Sequence, residues 1–170
     1  TGSGVDGGRV SPQYKATKMN YSPKYSGGPN DIAYIVVDKD LDLPESAYVP
    51  ILVSETESAE LVAPGKSARI VGFGYRNGGL FGVKYETNAQ ITQVYANEVA
   101  IGGGGKDSCS GDSGGPAYGR LANGDWRVYG VVSRGGACGS GGIWGLMSSN
   151  VCWIERDSGI DLGLPSGTCD

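Results

Sequence analysis

The apolar residues of this chain come in short bursts. Ile32 to Asp38 is a β-branched run of strand length, and Tyr48 to Val53 is a second. Ala68 to Gly74 (ARIVGFG) reads as a strand that ends in glycines, and Gln90 to Tyr95 alternates apolar with polar side chains. Trp126 to Ser133 (WRVYGVVS) carries the strongest strand pattern, and Ile143 to Met147 follows it. Residues 1 to 30 are polar and rich in glycine, serine and proline, which predicts loop with one edge strand; Glu55 to Lys66 is mixed and polar, a linker. Only Asn150 to Asp157 reads as helix, with Asn150 at the N-cap and a Ser-Gly stop after Asp157. Many short strands with glycine-rich turns predict an all-β barrel or sandwich. The best apolar run, Ile32 to Val37, is far too short to span a bilayer as a helix.

Composition sharpens this picture in three places. Glycine supplies 31 of 170 residues, in keeping with a loop-rich β protein, and histidine supplies 0. The second figure matters more, because imidazole is the usual proton shuttle near neutral pH. The formal net charge is -4 with no long basic run, so neither nucleic acid nor a membrane surface is an expected partner. Four cysteines (Cys109, Cys138, Cys152, Cys169) without close C-x-x-C spacing favour disulfides and an oxidising, secreted or extracellular setting over zinc. Asp38, Asp40 and Asp42 lack the ligand spacing of a calcium loop and read as a solvated turn. No metal and no cofactor is expected. The first residue is Thr1 rather than Met, which reads as a processed end or a boundary.

The chemistry concentrates in Gly111 to Pro116, Gly-Asp-Ser-Gly-Gly-Pro. Acyl transfer needs a hydroxyl on a tight turn with backbone N–H groups beside it, aimed where an oxyanion develops. A glycine-rich turn carrying a solvated serine is the plainer reading, but the full hexapeptide is far more specific than a lone G-x-S-x-G. The segment resembles the active-serine motif of the chymotrypsin/trypsin family of serine proteases. Other segments agree with that family in order. Asn30-Asp31-Ile32-Ala33 resembles the segment around the catalytic aspartate, and Tyr21 to Tyr25 the loop before it. Gly72-Phe73-Gly74 resembles the opening of the second barrel, Val132-Ser133-Arg134-Gly135 the strand that pairs with substrate, Gly142-Ile143-Trp144 the back wall of the primary pocket, and Trp153-Ile154 the start of the terminal helix. The similarity runs over roughly residues 20 to 157.

The resemblance implies an all-β, chymotrypsin-like double β-barrel with a short C-terminal helix. Residues 1–60 would be the latter part of the first barrel, 61–149 the second barrel, and 150–170 the helix and tail. It implies Ser113 as nucleophile, the N–H groups of Gly111 and Ser113 as oxyanion hole, and Asp31 as the carboxylate that orients the imidazole. Asp112 would receive the α-amino group freed on zymogen activation. Asp107, six residues before Ser113, would form the base of the primary pocket and select Arg or Lys, because a cation entering a partly dry slot must be paired. An exposed loop charge beside Lys106 is the plainer reading of Asp107. Ser108, Ser133, Arg134, Gly135 and Gly142 would line the substrate path, the two glycines leaving room for a long side chain. The family carries tryptophan where this chain has Arg134; an arginine there either favours acidic residues upstream of the cleaved bond or runs out to solvent. The resemblance pairs Cys109 with Cys138 across the pocket. It leaves Cys152 and Cys169 to bond each other or another chain.

The family mechanism needs a histidine upstream of the aspartate, and only 30 residues precede Asp31. The expectation is a processed two-chain serine endopeptidase whose histidine sits on a separate N-terminal chain of the same precursor. Its other partners would be protein or peptide substrates and protein protease inhibitors. The alternatives are an inactive homologue that binds proteins through the old substrate cleft, and a purely structural or inhibitory fragment.

Overall fold

A computed structural model describes residues 14–76, 79 and 81–170; the first 13 residues of the expected polar loop lie outside the described residues. The chain opens with two strands, β1 (Ala16–Tyr21) and β2 (Ala33–Val37), which pair antiparallel. A helix α1 (Glu55–Leu61) leads to six strands: β3 (Ser67–Gly72), β4 (Tyr85–Val94), β5 (Glu98–Ile101), β6 (Pro116–Arg120), β7 (Trp126–Gly135) and β8 (Gly142–Leu146). A terminal helix α2 (Val151–Ser158) follows. The six strands form a closed barrel in the order β3-β4-β5-β8-β7-β6, so that none of them is left as an edge.

Alternate residues of these strands fill the barrel. Ala68 and Ile70, Ala89 and Ile91, Val99 and Ile101, and Ala117 all point inward and are buried, with Tyr129, Val132 and Trp144. Trp144 is 0% exposed and needs small neighbours. A Cβ on Gly130 would lie 3.2 Å from that of Trp144 and 3.3 Å from that of Ala117, so glycine at 130 is what admits the indole.

The β1–β2 ribbon is two-faced. Tyr34 packs its ring 5.5 Å from that of Trp153 in α2, and its hydroxyl donates to Asp157. The opposite face carries Met19, paired with Ile35, and Tyr21, paired with Ala33. Met19, Tyr21 and Ile35 are 66%, 64% and 64% exposed. Among the described residues this face is an exposed apolar patch.

Three expectations are corrected. Tyr48 to Val53 is not a strand: it makes one parallel bridge, Ile51 to Val128, and Pro50, which lacks an N–H, cannot extend a ladder. The segment is a strap that places Leu52, 3% exposed, in the core. Glu55 to Lys66 is not wholly linker, and the terminal segment is not the only helix, because Glu55–Leu61 is α1. Ser54 Oγ caps it by accepting the N–H of Glu57, Glu55 and Glu57 suit its positive end, and Glu57 forms a two-pronged ion pair with Arg127. Asn150 holds the N-cap position of α2 but does not cap it with its side chain. That side chain is buried instead, accepting from Ser22 Oγ at 2.7 Å and donating to Asn30 and Ser149, which joins the ribbon loop to the helix.

Candidate active site

The loop between β5 and β6 carries the hexapeptide, and hydrogen bonds fold it onto itself and onto β7. Asp112 N–H donates to Cys109 O at 3.0 Å and Gly115 N–H to Asp112 O at 2.8 Å. Gly114 N–H donates to Val132 O, and Val132 N–H to Gly115 O. Gly111 and Gly114 have φ of 93° and 79°, a left-handed backbone that glycine adopts freely. Ser113 between them is exposed. Among the described residues no acceptor engages the N–H of Gly111 or of Ser113. Backbone donors beside an exposed hydroxyl are what an oxyanion would require.

Asp31 reaches the same strand from the other lobe. Ser133 Oγ donates to Asp31 Oδ2 at 2.7 Å. Ile32, 3% exposed, lies on β8 at Gly145, where a Cβ would come within 3.0 Å of Ile32 Cδ1. Val132 therefore fixes the serine turn, and its neighbour Ser133 fixes the aspartate. A bulge makes this possible: Val132 pairs with Trp144 and Arg134 with Ile143, which leaves Ser133 as the extra residue, free to face Asp31.

Asp112 turns away from the serine. Its Oδ1 accepts Gly74 N–H at 2.7 Å and its Oδ2 accepts Cys109 N–H at 2.8 Å. A Cβ at Gly72 would sit 1.9 Å from that carboxylate, and one at Gly74 2.7 Å from it, which gives the Gly72-Phe73-Gly74 pattern its physical reason. A cavity of about 200 Å³ opens beside Asp112, and Asp107 lines it too.

Asp107 is half-buried and held by its neighbours. Its Oδ1 accepts Ser108 N–H at 2.7 Å and Ser108 Oγ at 3.4 Å; its Oδ2 accepts Gly141 N–H at 2.7 Å. Gly142 and Gly135 stand close by: a Cβ on Gly142 would be 3.5 Å from Asp107 Oδ1, and one on Gly135 3.4 Å from Gly142 Cα. A disulfide between Cys109 and Cys138 joins the two loops. Cys152 bonds Cys169, which resolves the open pairing in favour of a pinned tail on α2.

Arg134 is paired within the chain. Its guanidinium grips Glu98 with both ends, Nη1 to Oε1 at 2.5 Å and Nη2 to Oε2 at 3.0 Å. Glu98 opens β5 and is 6% exposed. Sequence reasoning missed it; the available signal was a carboxylate directly preceding the apolar Val99-Ala100-Ile101.

An exposed serine turn on the barrel and a carboxylate from the β1–β2 loop tied to the adjoining strand thus lie together on a β-barrel scaffold. Comparison with known proteins specifies the scaffold. The family model described as Trypsin matches residues 4–153, and the chain belongs to the trypsin-like serine protease family. It is 35% identical over 167 residues to a trypsin of Phaedon cochleariae, covering 88% of this chain and 59% of that protein. It is 32% identical over 147 residues to glucanase inhibitor protein 3 of Phytophthora infestans, covering 76% and 55%. It is 30% identical over 167 residues to the atrial natriuretic peptide-converting enzyme of Mus musculus, covering 84% and 14%. The chain thus spans little more than half the length of the first two and a small part of the third.

Proposed function

We propose that this chain is the nucleophile-bearing part of a secreted serine endopeptidase that cleaves after Arg or Lys, its histidine supplied by a separate N-terminal chain of the same precursor. The observation that carries the reading is the bond from Ser133 to Asp31, made beside the residue that holds the Ser113 turn. In this mechanism the imported imidazole, oriented by Asp31, takes the Ser113 proton as Oγ attacks the substrate carbonyl. The N–H groups of Gly111 and Ser113 stabilise the oxyanion, the protonated imidazole gives its proton to the leaving amine, and water then hydrolyses the acyl-enzyme. Asp107 pairs with the substrate cation, and Ser108, Ser133, Gly135 and Gly142 shape its path.

The uncovered face of Met19, Tyr21 and Ile35 supports a partner chain that completes the first lobe. The cavity beside Asp112, where among the described residues no cation pairs with that carboxylate, supports its role as acceptor of an α-amino group. Two disulfides favour an oxidising, extracellular setting. Protein protease inhibitors would occupy the same cleft as substrates.

The test is fluorophosphonate labelling of the protein assembled with its histidine-bearing chain, with the labelled peptide sequenced. Labelling at Ser113, lost in Ser113→Ala, is the expected result. A second reading, a protein-binding module without hydrolysis, draws on the similarity to a glucanase inhibitor protein. An assembled protein that neither labels nor cleaves any peptide favours that second reading.

A further inference from the structure

We infer that Glu98 is a specificity-determining residue, one that withholds the Arg134 cation from acidic side chains upstream of the cleaved bond. The inference rests on the protease reading and deepens it. Residues 133 to 135 run between the two charged ends of the site: Ser133 touches Asp31, and Gly135 adjoins Gly142, which adjoins Asp107. Arg134 is the side chain of that span, 46% exposed, so a substrate lying along β7 passes it. An unpaired guanidinium there would attract a substrate carboxylate, since its fork matches carboxylate geometry.

The fork is already taken. Both terminal nitrogens face the two Glu98 oxygens, and Nη1 also lies 3.4 Å from Ser133 Oγ. The Glu98 side chain is only 8% exposed. Turning Arg134 toward a substrate would leave that carboxylate buried and uncompensated, which is strongly unfavourable. The local charge points the same way. Glu98 and Asp31 are two anions around one cation, and both hold Arg134 in its charged form, Glu98 the more strongly. An acidic substrate residue would meet a net negative neighbourhood. β5 thereby sets the chemistry of a subsite on β7, reaching across β8, where the position facing Glu98 is Gly145 and has no side chain to intervene.

The experiment measures kcat/KM of the assembled two-chain protein on fluorogenic peptides. They share one residue at the cleaved bond and carry Glu, Gln or Ala at the second and third positions before it. The wild-type protein should cleave Glu peptides more slowly than Gln peptides. Glu98→Gln, which keeps shape and removes the charge, should raise the Glu-to-Gln ratio about tenfold or more, with the gain shrinking as salt is added. The double variant Glu98→Gln/Arg134→Gln should lose the gain. The ratio is internal to each preparation, so a variant that yields less active protein still reports. A wild-type preference for Glu, or an unchanged ratio in Glu98→Gln, overturns the inference while leaving the protease reading intact. Absence of both labelling and hydrolysis in the wild-type assembly overturns the protease reading and this inference with it.

Discussion

Ser133 Oγ and Asp31 Oδ2 meet at 2.7 Å although 102 positions separate them in the chain. The contact ties the loop between β1 and β2 to a barrel strand. A hydrogen bond to a charged group contributes about 1.5–3 kcal/mol. Ser133→Ala should therefore lower kcat of the assembled protease by about tenfold to a hundredfold, with a smaller effect on KM, because Asp31 loses its anchor rather than the substrate a contact. Ser133→Thr keeps the hydroxyl and should recover part of the loss. Steady-state kinetics on one Arg peptide decides it; a Ser133→Ala enzyme with unchanged kcat would mean that Asp31 is held by other means.

The legible and illegible parts of this chain differ for physical reasons. Trp126 to Ser133 and Ile143 to Met147 were readable because strands buried in a barrel are dense in β-branched and aromatic side chains. β5 and β6 were not: four and five residues long, with Glu98 and Pro116 at their heads, they carry too little pattern. α1 was hidden because it buries only Leu61, so its sequence shows no apolar stripe. Within the site, Ser113, Asp31 and Asp107 were named through motif resemblance. The Glu98 partner of Arg134 depends on diagonal register across β8, which no local pattern encodes.

Gly74 is where a single methyl group should do most harm. A Cβ there would lie 2.7 Å from the Ser110 carbonyl oxygen and 2.7 Å from the Asp112 carboxylate, and neither is the loose end of a flexible chain. Gly74→Ala should cost about 1–3 kcal/mol by overpacking and should displace Asp112 from the Gly74 and Cys109 N–H groups. Thermal unfolding and the rate of Ser113 labelling should both fall. Gly79→Ala is the comparison: space around Gly79 is open, so the change adds only the strain of its φ of 75° and should leave labelling intact. Normal labelling in Gly74→Ala would break the link between the Asp112 seat and the serine turn.

The ribbon should loosen in acid before the barrel does. Asp157 accepts from the Tyr34 hydroxyl and from Asn20 Nδ2, with Lys18 close by, and these hold its carboxyl below its ordinary 3.8. Tyr34 in turn is pushed up to about 12, first by lost hydration and then by Asp157. A depressed carboxyl contributes stability that is present above its unfolded value and lost as pH falls through the folded one, so this contact weakens below about pH 4. Amide protection factors, corrected for the intrinsic pH dependence of exchange, should fall in residues 16–21 and 33–37 as pH drops below about 4, more than in β7 and β8. In Asp157→Asn that acid-dependent step should be gone. Glu57 of α1, also held low by its partner Arg127 on β7, titrates against the barrel, so the readout must resolve residues. Uniform exchange across both regions would refute the assignment.

Asp107 tests the substrate class. If its carboxylate pairs with the cation of the residue before the scissile bond, removing the charge should cost about 2–5 kcal/mol, or roughly 1.5 to 3.5 orders of magnitude in kcat/KM on Arg and Lys peptides. The structure dictates which variant to make. Asp107 also accepts the N–H groups of Ser108 and Gly141, so Asp107→Ser would remove the charge and orphan both donors together. Asp107→Asn keeps one acceptor oxygen and separates the two effects: if pairing is what matters, Asn and Ser should fail alike on cationic peptides, whereas a purely structural Asp107 predicts that Asn retains most activity. Cleavage after aromatic residues should be spared or raised in Asp107→Asn, since no unpaired charge then stands against them. Benzamidine, a flat cation, should inhibit the unmutated enzyme and lose its hold on the variant. A wild-type preference for an aromatic or small residue before the scissile bond would refute a cation-selecting pocket, even with Ser113 proved to be the nucleophile.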